Sequence, residues 1–335
     1  MSFMEVKGYQ SLLGGRETER AIKLVRDCFQ KELVNSLNLQ RISAPLFVRP
    51  ETGLNDNLNG VERPVSFDVP ALGGAKCEIV HSLAKWKRMT LGRYGFLPGE
   101  GLYTDMNAIR RDEEFDNLHS MYVDQWDWCR VIEKKDRNLK TLKETVRTIY
   151  EAIKNTQKEI CREFPALPNY LPEEISFVTT QELLDQYPEL SPKEREDKLL
   201  KEKKAVFLMQ IGGRLSNGEK HDGRAPDYDD WSLNGDIIVY YPVLDVAFEL
   251  SSMGIRVDED SLVTQCREAG TMDRLELAFH KGILEKKLPY TIGGGIGQSR
   301  LCMFMLGKSH IGEVQASVWD DDTVRICEEK GIKLL

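Results

Sequence analysis

Hydrophobic positions recur along this chain with two different periods. Over residues 16–37, Ala21/Ile22, Val25, Cys28/Phe29 and Leu33 return every three or four residues, which predicts an amphipathic helix. Residues 137–164 repeat that pattern at greater length, with Leu139, Leu142, Val146, Ile149, Ile153, Ile160 and Phe164 in line. Thr179-Thr-Gln-Glu182 is a capping box that opens another helix, and the charged stretch Leu190–Lys204 predicts a solvated one. Further helices are expected between residues 259 and 285. Extended segments are predicted at Val65–Val69, Cys77–Val80, Ala205–Ile211, Asp236–Tyr241 and Val246–Ser252. Leu39–Val48 is extended but interrupted at Pro45, which cannot donate to a ladder and so belongs at a strand edge or a subunit contact. Asp56–Gly60 reads as a polar loop, and Ser82 as the N-cap of a helix over Leu83–Met89.

Tyr103–Trp128 predicts a long hairpin. Alternation on its return arm puts Met121, Val123, Gln125 and Asp127 on one face, and Tyr122, Asp124, Trp126 and Trp128 on the other. The aromatic face is expected under helices. The Gln125/Asp127 face is then either a solvated outer surface or the floor of a site. Strands joined by hairpins, with no βαβ alternation, imply an α+β fold: a mainly antiparallel sheet flanked by helices, in a single domain over 1–335.

The most distinctive stretch is Thr291-Ile-Gly-Gly-Gly-Ile-Gly-Gln-Ser-Arg-Leu301. Glycines at 293, 295 and 297 strip one face of a strand, so that something flat can lie on bare backbone, and Arg300 follows in the first turns of a short helix. A Gly-rich strand-to-helix turn would look the same. The spacing fits neither a P-loop nor a dinucleotide fingerprint.

Composition narrows the class. The 335 residues are 41% hydrophobic, enough for a large core, and 46 Lys+Arg against 54 Asp+Glu leave a formal charge of -8. That balance argues against a surface built for nucleic acid. No apolar run reaches membrane-spanning length, and Met1–Gly8 lacks a basic-then-apolar leader, so a cytoplasmic protein is expected. The 7 cysteines never form C-x-x-C and the 5 histidines are isolated, which favours buried thiols over disulfides or zinc.

Candidate chemistry gathers on arginines and acids. Arg110 ends one hairpin arm, Arg256 follows Glu249-Leu-Ser-Ser252, and Arg300 follows the glycine strand. Each guanidinium fork suits phosphate or carboxylate. Glu249, with Asp236 on a neighbouring strand, supplies the hard oxygens with which Mg²⁺ bridges nucleotide phosphates. Singly, each of these is as readily a surface salt bridge. Together they match an ATP site.

Pro45 after a helix, the Arg110 hairpin and Gly293-x-Gly295-x-Gly297-x-Ser299-Arg300 resemble motifs one, two and three of the class II aminoacyl-tRNA synthetase core. Glu249-Leu-Ser-Ser-Met-Gly-Ile-Arg256 is similar to the segment that aspartyl- and asparaginyl-tRNA synthetases carry before motif three. Those enzymes have glutamate where Ser299 stands, and an anticodon-binding domain for which this chain has no room. From about Arg20 onward, the chain more closely resembles the ammonia-dependent asparagine synthetases, the class II-derived aspartate–ammonia ligases. His81-Ser-Leu-Ala-Lys-Trp-Lys87, Gly99–Thr104, Tyr122–Trp128, Arg224–Trp231 and Phe248–Asp258 all carry that resemblance. The connection Trp231–Leu233 looks shorter than in a bacterial member of that family, which bears on the lid over the site.

The resemblance implies attack by the aspartate β-carboxylate on the α-phosphorus of ATP, then displacement of AMP by ammonia, with Mg²⁺ as cofactor. It implies Arg110 at the α-phosphate, and Arg300 at the adenine face and terminal phosphates. His119, Ser120, Arg224, Glu249, Ser251 and Gly295 would also contact ATP. Asp236 and Glu249 would hold the metal. Ser82, Lys87, Ser252 and Arg256 would bind the carboxylates of aspartate, and Gln125 and Asp127 its α-ammonium. Asp56 and Asp229 would receive ammonium and take its proton; with Arg110, Lys87 and Gln125 they make up the catalytic set. An N-terminal-nucleophile amidotransferase needs an exposed nucleophile at position two. The chain reads Met1-Ser2 and leaves no glutaminase domain, so free ammonia is the expected donor. No tRNA is expected, and the motif-one helix and Pro45 strand imply a homodimer. A tRNA synthetase paralogue and a silent regulatory subunit are the competing readings. The retained arginines argue against the second.

Overall fold

A computed structural model describes residues 3–58, 60 and 62–335. The argument from position two and part of the Asp56–Gly60 loop lie outside those residues. In chain order the elements are α1 (Gly15–Leu37), β1 (Leu39–Arg41), β2 (Phe47–Val48), β3 (Ser66–Val69), β4 (Ala75–Ile79), α2 (Ala84–Tyr94), β5 (Gly101–Ile109) and β6 (Tyr122–Val131). Then come α3 (Leu139–Glu163), β7 (Ser176–Thr179), α4 (Thr180–Gln186), α5 (Pro192–Lys203), β8 (Ala205–Met209), β9 (Asp229–Tyr241) and β10 (Val246–Arg256). The chain closes with α6 (Glu259–Glu268), α7 (Ala278–Leu284), β11 (Thr291–Gly297), α8 (Gln298–Leu306) and α9 (Asp321–Glu329).

The strands form an 8-stranded sheet in the order β1-β5-β6-β11-β10-β9-β8-β7 and a 3-stranded sheet β2-β4-β3. The large sheet is antiparallel through its middle. It is mixed at its edges, where β1 pairs with β5 and β7 with β8 in parallel. That departs from the antiparallel reading, because short edge strands reached through a helix carry no hairpin signal in the sequence.

One face of the sheet is sealed. Phe29 and Leu33 of α1, Ile149 and Ile153 of α3, and the apolar run Leu301–Leu306 of α8 pack on Trp126, Trp128, Met253 and Ile296 in one cluster. The Phe29 and Trp126 rings lie 4.7 Å apart. The opposite face is covered only at its two ends. Leu199 and Leu200 of α5 pack on Val206, Leu208 and Ile238 at one end. Leu83, leading into α2, together with Leu262 and Ile283, packs on Met106 and Ala108 at the other. The middle strands β6, β11 and β10 are left bare between these two clusters.

Three sequence expectations need correction. Leu83, not Ser82, is the N-cap residue of α2 and its own side chain caps nothing; the Ser82 hydroxyl donates to Asp56 Oδ2 at 2.8 Å and accepts only a long bond, 3.5 Å, from the Ala84 N–H. The Leu190–Lys204 helix is solvated on one side only, because Arg195, Leu199 and Leu200 are buried. Strand β9 begins at Asp229, seven residues before the predicted start, so the shortened Trp231–Leu233 connection lies inside a strand and forms no lid. Between Asp229 and Asn234, β9 loops out of register with β10, and this brings Asp229 opposite Arg256.

Candidate active site

The bare middle of the sheet is the floor of a cavity of about 470 Å³. Three glycine-bearing and acid-bearing strands supply it. On β6, alternation puts Val123, Gln125 and Asp127 on the cavity side, while Trp126 and Trp128 go to the core. On β10 a bulge at Leu250 breaks the alternation, since Glu249 pairs with Ile238 and Ser251 with the very next residue, Ile237. Glu249 and Ser252 therefore share the cavity face, which a regular strand would forbid.

Strand β11 runs between them, with Gly295 opposite both Asp127 and Ser252. Its missing side chains are needed, but by the protein's own groups. A Cβ on Gly293 would stand 2.9 Å from Arg256 Nη2, and one on Gly295 would stand 2.3 Å from Gln125 Oε1. The flat objects lying on the bare strand are thus a guanidinium and a carboxamide.

Most of the residues singled out above meet here. Asp56, Ser82, Arg110, His119, Ser120, Gln125, Asp127, Arg224, Asp229, Glu249, Ser252, Arg256, Gly295 and Arg300 line the cavity. Lys87, Asp236 and Ser251 do not reach its wall. Lys87, on α2, is fully buried behind Asp127, and its ammonium donates to Asp127, to Trp128 O at 3.0 Å and to Gly294 O at 3.2 Å. Burial, and the nearby Arg256 charge next, push its ammonium well below the usual lysine range, although three acceptors receive it. Lys87 thereby fixes Asp127, whose other oxygen accepts from the Leu83 N–H at 3.2 Å. Ser251 is buried with its hydroxyl unpartnered.

The two ends of the cavity differ in charge. At one end Arg110 has its Nε buried and, among the described residues, unpartnered, and its ion pair with Glu113 is long at 4.0 Å, so its fork can turn to an anion. Arg300 shares this end. Its Nη1 donates to Glu249 O at 3.0 Å and its Nη2 meets His119 Nε2 at 2.9 Å, while His119 Nδ1 lies 2.9 Å from Asp116. Nδ1 therefore carries the proton and Nε2 accepts, holding the guanidinium in place. At the other end Arg256 pairs with Asp229, both about 97% buried in their side chains. Burial pushes the Asp229 carboxyl up, against the pull of Arg256. Tyr228 beside them is pushed well above its ordinary range, by burial first and by Asp56 and Asp229 next.

The carboxylates suited to a metal sit between the ends. Asp236 lies across from Ser252 and makes an ion pair with Arg224 through one oxygen, while its Oδ1 is buried and unpartnered. Burial pushes its carboxyl up to about 7, with Arg224 opposing and Glu249 adding to the rise. Among the described residues no cluster of three or more His, Cys, Asp or Glu could hold a metal by itself. Mg²⁺ uses one or two carboxylates with waters and phosphates, so the orphaned Asp236 oxygen and Glu249 fit it.

Sequence reading gave no role to His81, Tyr228, Asp124 or Gln315. His81 and Tyr228 stand inside the motifs quoted above, so the signal was present. Asp124, at 2.8 Å from the Ser299 hydroxyl, stands inside one too; Gln315, at 3.1 Å from it, lies outside every quoted motif.

The fold itself defines a class. The catalytic core of class II aminoacyl-tRNA synthetases superposes on this chain with little sequence in common. Asparaginyl-tRNA synthetase from Entamoeba histolytica, in complex with asparaginyl-adenylate, matches at TM-score 0.65 and 12% identity, over 90% of this chain and 66% of that one. Aspartyl-tRNA synthetase from the same organism matches at 0.63 and 14%, over 91% and 58%. The chain spans about two thirds or less of those synthetases. Sequence comparison is narrower. The family model for aspartate-ammonia ligase matches residues 16–331. Aspartate–ammonia ligases from Ruminiclostridium cellulolyticum and Lactobacillus johnsonii are 65% and 58% identical, each over 100% of this chain and 99% and 100% of theirs. The chain belongs to the aspartate–ammonia ligase family of enzymes.

Proposed function

We propose that this enzyme converts L-aspartate and ammonia to L-asparagine with ATP, through β-aspartyl-AMP, releasing AMP and pyrophosphate. The observation that carries the reading is the cavity's two-ended floor. An anion-ready end at Arg110 and Arg300 faces an end at Arg256, Gln125 and Asp127 that suits a zwitterion. ATP lies with its α-phosphate at Arg110 and its adenine and terminal phosphates at Arg300, with His119, Ser120, Arg224 and Glu249 in support; Ser251, off the cavity wall, and Gly295, under the Gln125 carboxamide, are not among its contacts. Aspartate lies with its carboxylates toward Arg256, Ser82 and Ser252 and its α-ammonium toward Gln125 and Asp127. Lys87, buried behind Asp127, acts by holding it.

No covalent nucleophile is required of the protein. It orients two anions and neutralises charge growing on the α-phosphate, where each preorganised donor contributes about 2.7–4 kcal/mol. Asp236 and Glu249 would hold Mg²⁺, which would supply positive charge to the nucleotide phosphates. Asp56 and Asp229 put negative charge where ammonium is received. The whole chain acts as one catalytic domain, in the cytoplasm, as a homodimer through the Pro45 strand and the helix before it. Exposed Leu46, Phe47, Phe67 and Leu72 beside Pro45 support that interface.

The test is product analysis with purified protein, Mg-ATP and aspartate, with and without ammonium chloride and without tRNA. Asparagine and AMP are expected in equal amounts and only with ammonium. ADP in place of AMP would overturn the adenylate route. Pyrophosphate exchange with no asparagine, followed by aspartate transfer to added tRNA, would move the chain to the synthetase reading.

A further inference from the structure

His81 stands on the cavity wall beside Asp56 and Ser82, 1% exposed, and no other step described above uses it. Its backbone N–H donates to Asn55 Oδ1 at 2.9 Å, and its ring Nδ1 lies 3.0 Å from the carbonyl oxygen of Asp56. A carbonyl only accepts, so Nδ1 carries the hydrogen. In the neutral ring Nε2 then presents a lone pair. That Nε2 is buried and has no hydrogen-bond partner among the described residues. A buried acceptor without a donor is costly, and in a substrate cavity it marks a place for a donor that arrives with the substrate.

The neighbouring carboxylates are already committed. Asp56 accepts from the Leu58 N–H through Oδ1 and from the Ser82 hydroxyl through Oδ2, both at 2.8 Å. Asp229 is held in its ion pair with Arg256, which protonation would break. Both supply charge that attracts a small cation and both already accept from a neighbour, whereas His81 Nε2 accepts from none among the described residues. Asn55 holds the backbone of His81 and the Asp56 carbonyl holds its ring through Nδ1, which sets the direction of Nε2.

We propose that His81 Nε2 is the base that takes the proton from bound ammonium, with Asp56 and Asp229 holding the cation by charge. This rests on the adenylate reading given above. NH₄⁺ transfers one proton to Nε2 and becomes NH₃, leaving an imidazolium that the Asp56 and Asp229 charges stabilise. The nitrogen lone pair forms the C–N bond at the β-carbonyl carbon of β-aspartyl-AMP, and the C–O bond to phosphate breaks with its electron pair leaving on AMP. The second nitrogen proton goes to the departing phosphate, and imidazolium returns its proton to solvent.

His81→Asn is the variant to make, because its amide nitrogen can still donate to Asp56 O while the Nε2 lone pair is gone. Three rates are compared with wild type: aspartate-dependent ATP–pyrophosphate exchange, asparagine formation from ammonium, and β-aspartyl hydroxamate formation from hydroxylamine, a nucleophile already unprotonated at neutral pH. Exchange and hydroxamate formation should stay within about threefold, while asparagine formation falls about 10²–10³-fold. Equal losses with ammonium and hydroxylamine, unchanged asparagine formation, or loss of exchange would each overturn the assignment. Wild-type protein with no aspartate-dependent exchange would instead sink the adenylate reading itself, and this one with it.

Discussion

Adjacent glycines on β11 should fail in different ways when each is changed to alanine. A Cβ on Gly294 would come 2.5 Å from Met253 Cβ and 2.7 Å from Ser252 O, atoms of the neighbouring strand that cannot move without shifting the sheet. A Cβ on Gly295 would come 2.3 Å from Oε1 and 2.8 Å from Cδ of Gln125, the far end of a flexible side chain. Gly294→Ala should therefore cost about 1–3 kcal/mol of stability or more, as overpacking of a fixed core does. Gly295→Ala should cost less than about 1 kcal/mol, because the carboxamide can swing aside. It then leaves the position from which it meets the ammonium of aspartate. A hydrogen bond to a charged group contributes about 1.5–3 kcal/mol, so KM for aspartate should rise roughly 10–150-fold. KM for ATP should change by less than about threefold. Urea unfolding and steady-state kinetics on both variants make the check. If Gly295→Ala raises KM for ATP and not for aspartate, the bare strand serves the nucleotide and Gln125 is misplaced. If it unfolds as readily as Gly294→Ala, the side-chain argument is wrong.

Three further outcomes follow from the same geometry. The Asp236 carboxyl, raised by burial to about 7, must be ionised to hold a cation. Mg²⁺ affinity should thus climb as pH rises through 7 and level off above it, with proton release visible by calorimetry in two buffers; a flat profile, or one unchanged in Asp236→Asn, would refute this. Asp227 is buried, with Lys85 Nζ and His280 Nε2 each at 2.9 Å. Burial pushes its carboxyl up, but Lys85, His280 and Arg274 outweigh burial and hold it well below the usual range. Lys85→Met should cost about 3–5 kcal/mol near neutral pH. Because a depressed carboxyl stabilises only above its unfolded-state range, the gap to wild type should narrow in acid, and urea melts near neutral pH and in acid test both halves. Phe47 and Phe67 form an exposed edge-to-face pair at 5.3 Å on the small sheet. Phe47→Glu should shift sedimentation toward monomer at micromolar protein, and an unchanged dimer would place the interface elsewhere.

What the sequence determined is whatever depends on neighbours within a few residues. The long helices α1 and α3, the capping box at Thr179, the hairpin of β5 and β6 and the glycine strand were all legible, because periodicity and turn chemistry are local. So was the alternation that sends Trp126 to the core and Gln125 to the cavity. Family motifs carried the arginines and acids, but not their depth. Only the assembled sheet decided that Lys87 is buried behind Asp127, that Gln125 and Arg256 cover the bare glycines, and that a bulge at Leu250 sets Glu249 beside Ser252. Only the tertiary structure paired Asp229 with Arg256, and left the lone pair of His81 without a donor. Register, burial and the satisfaction of polar groups join residues far apart in the chain. No local pattern encodes them, because each depends on which strand lies alongside.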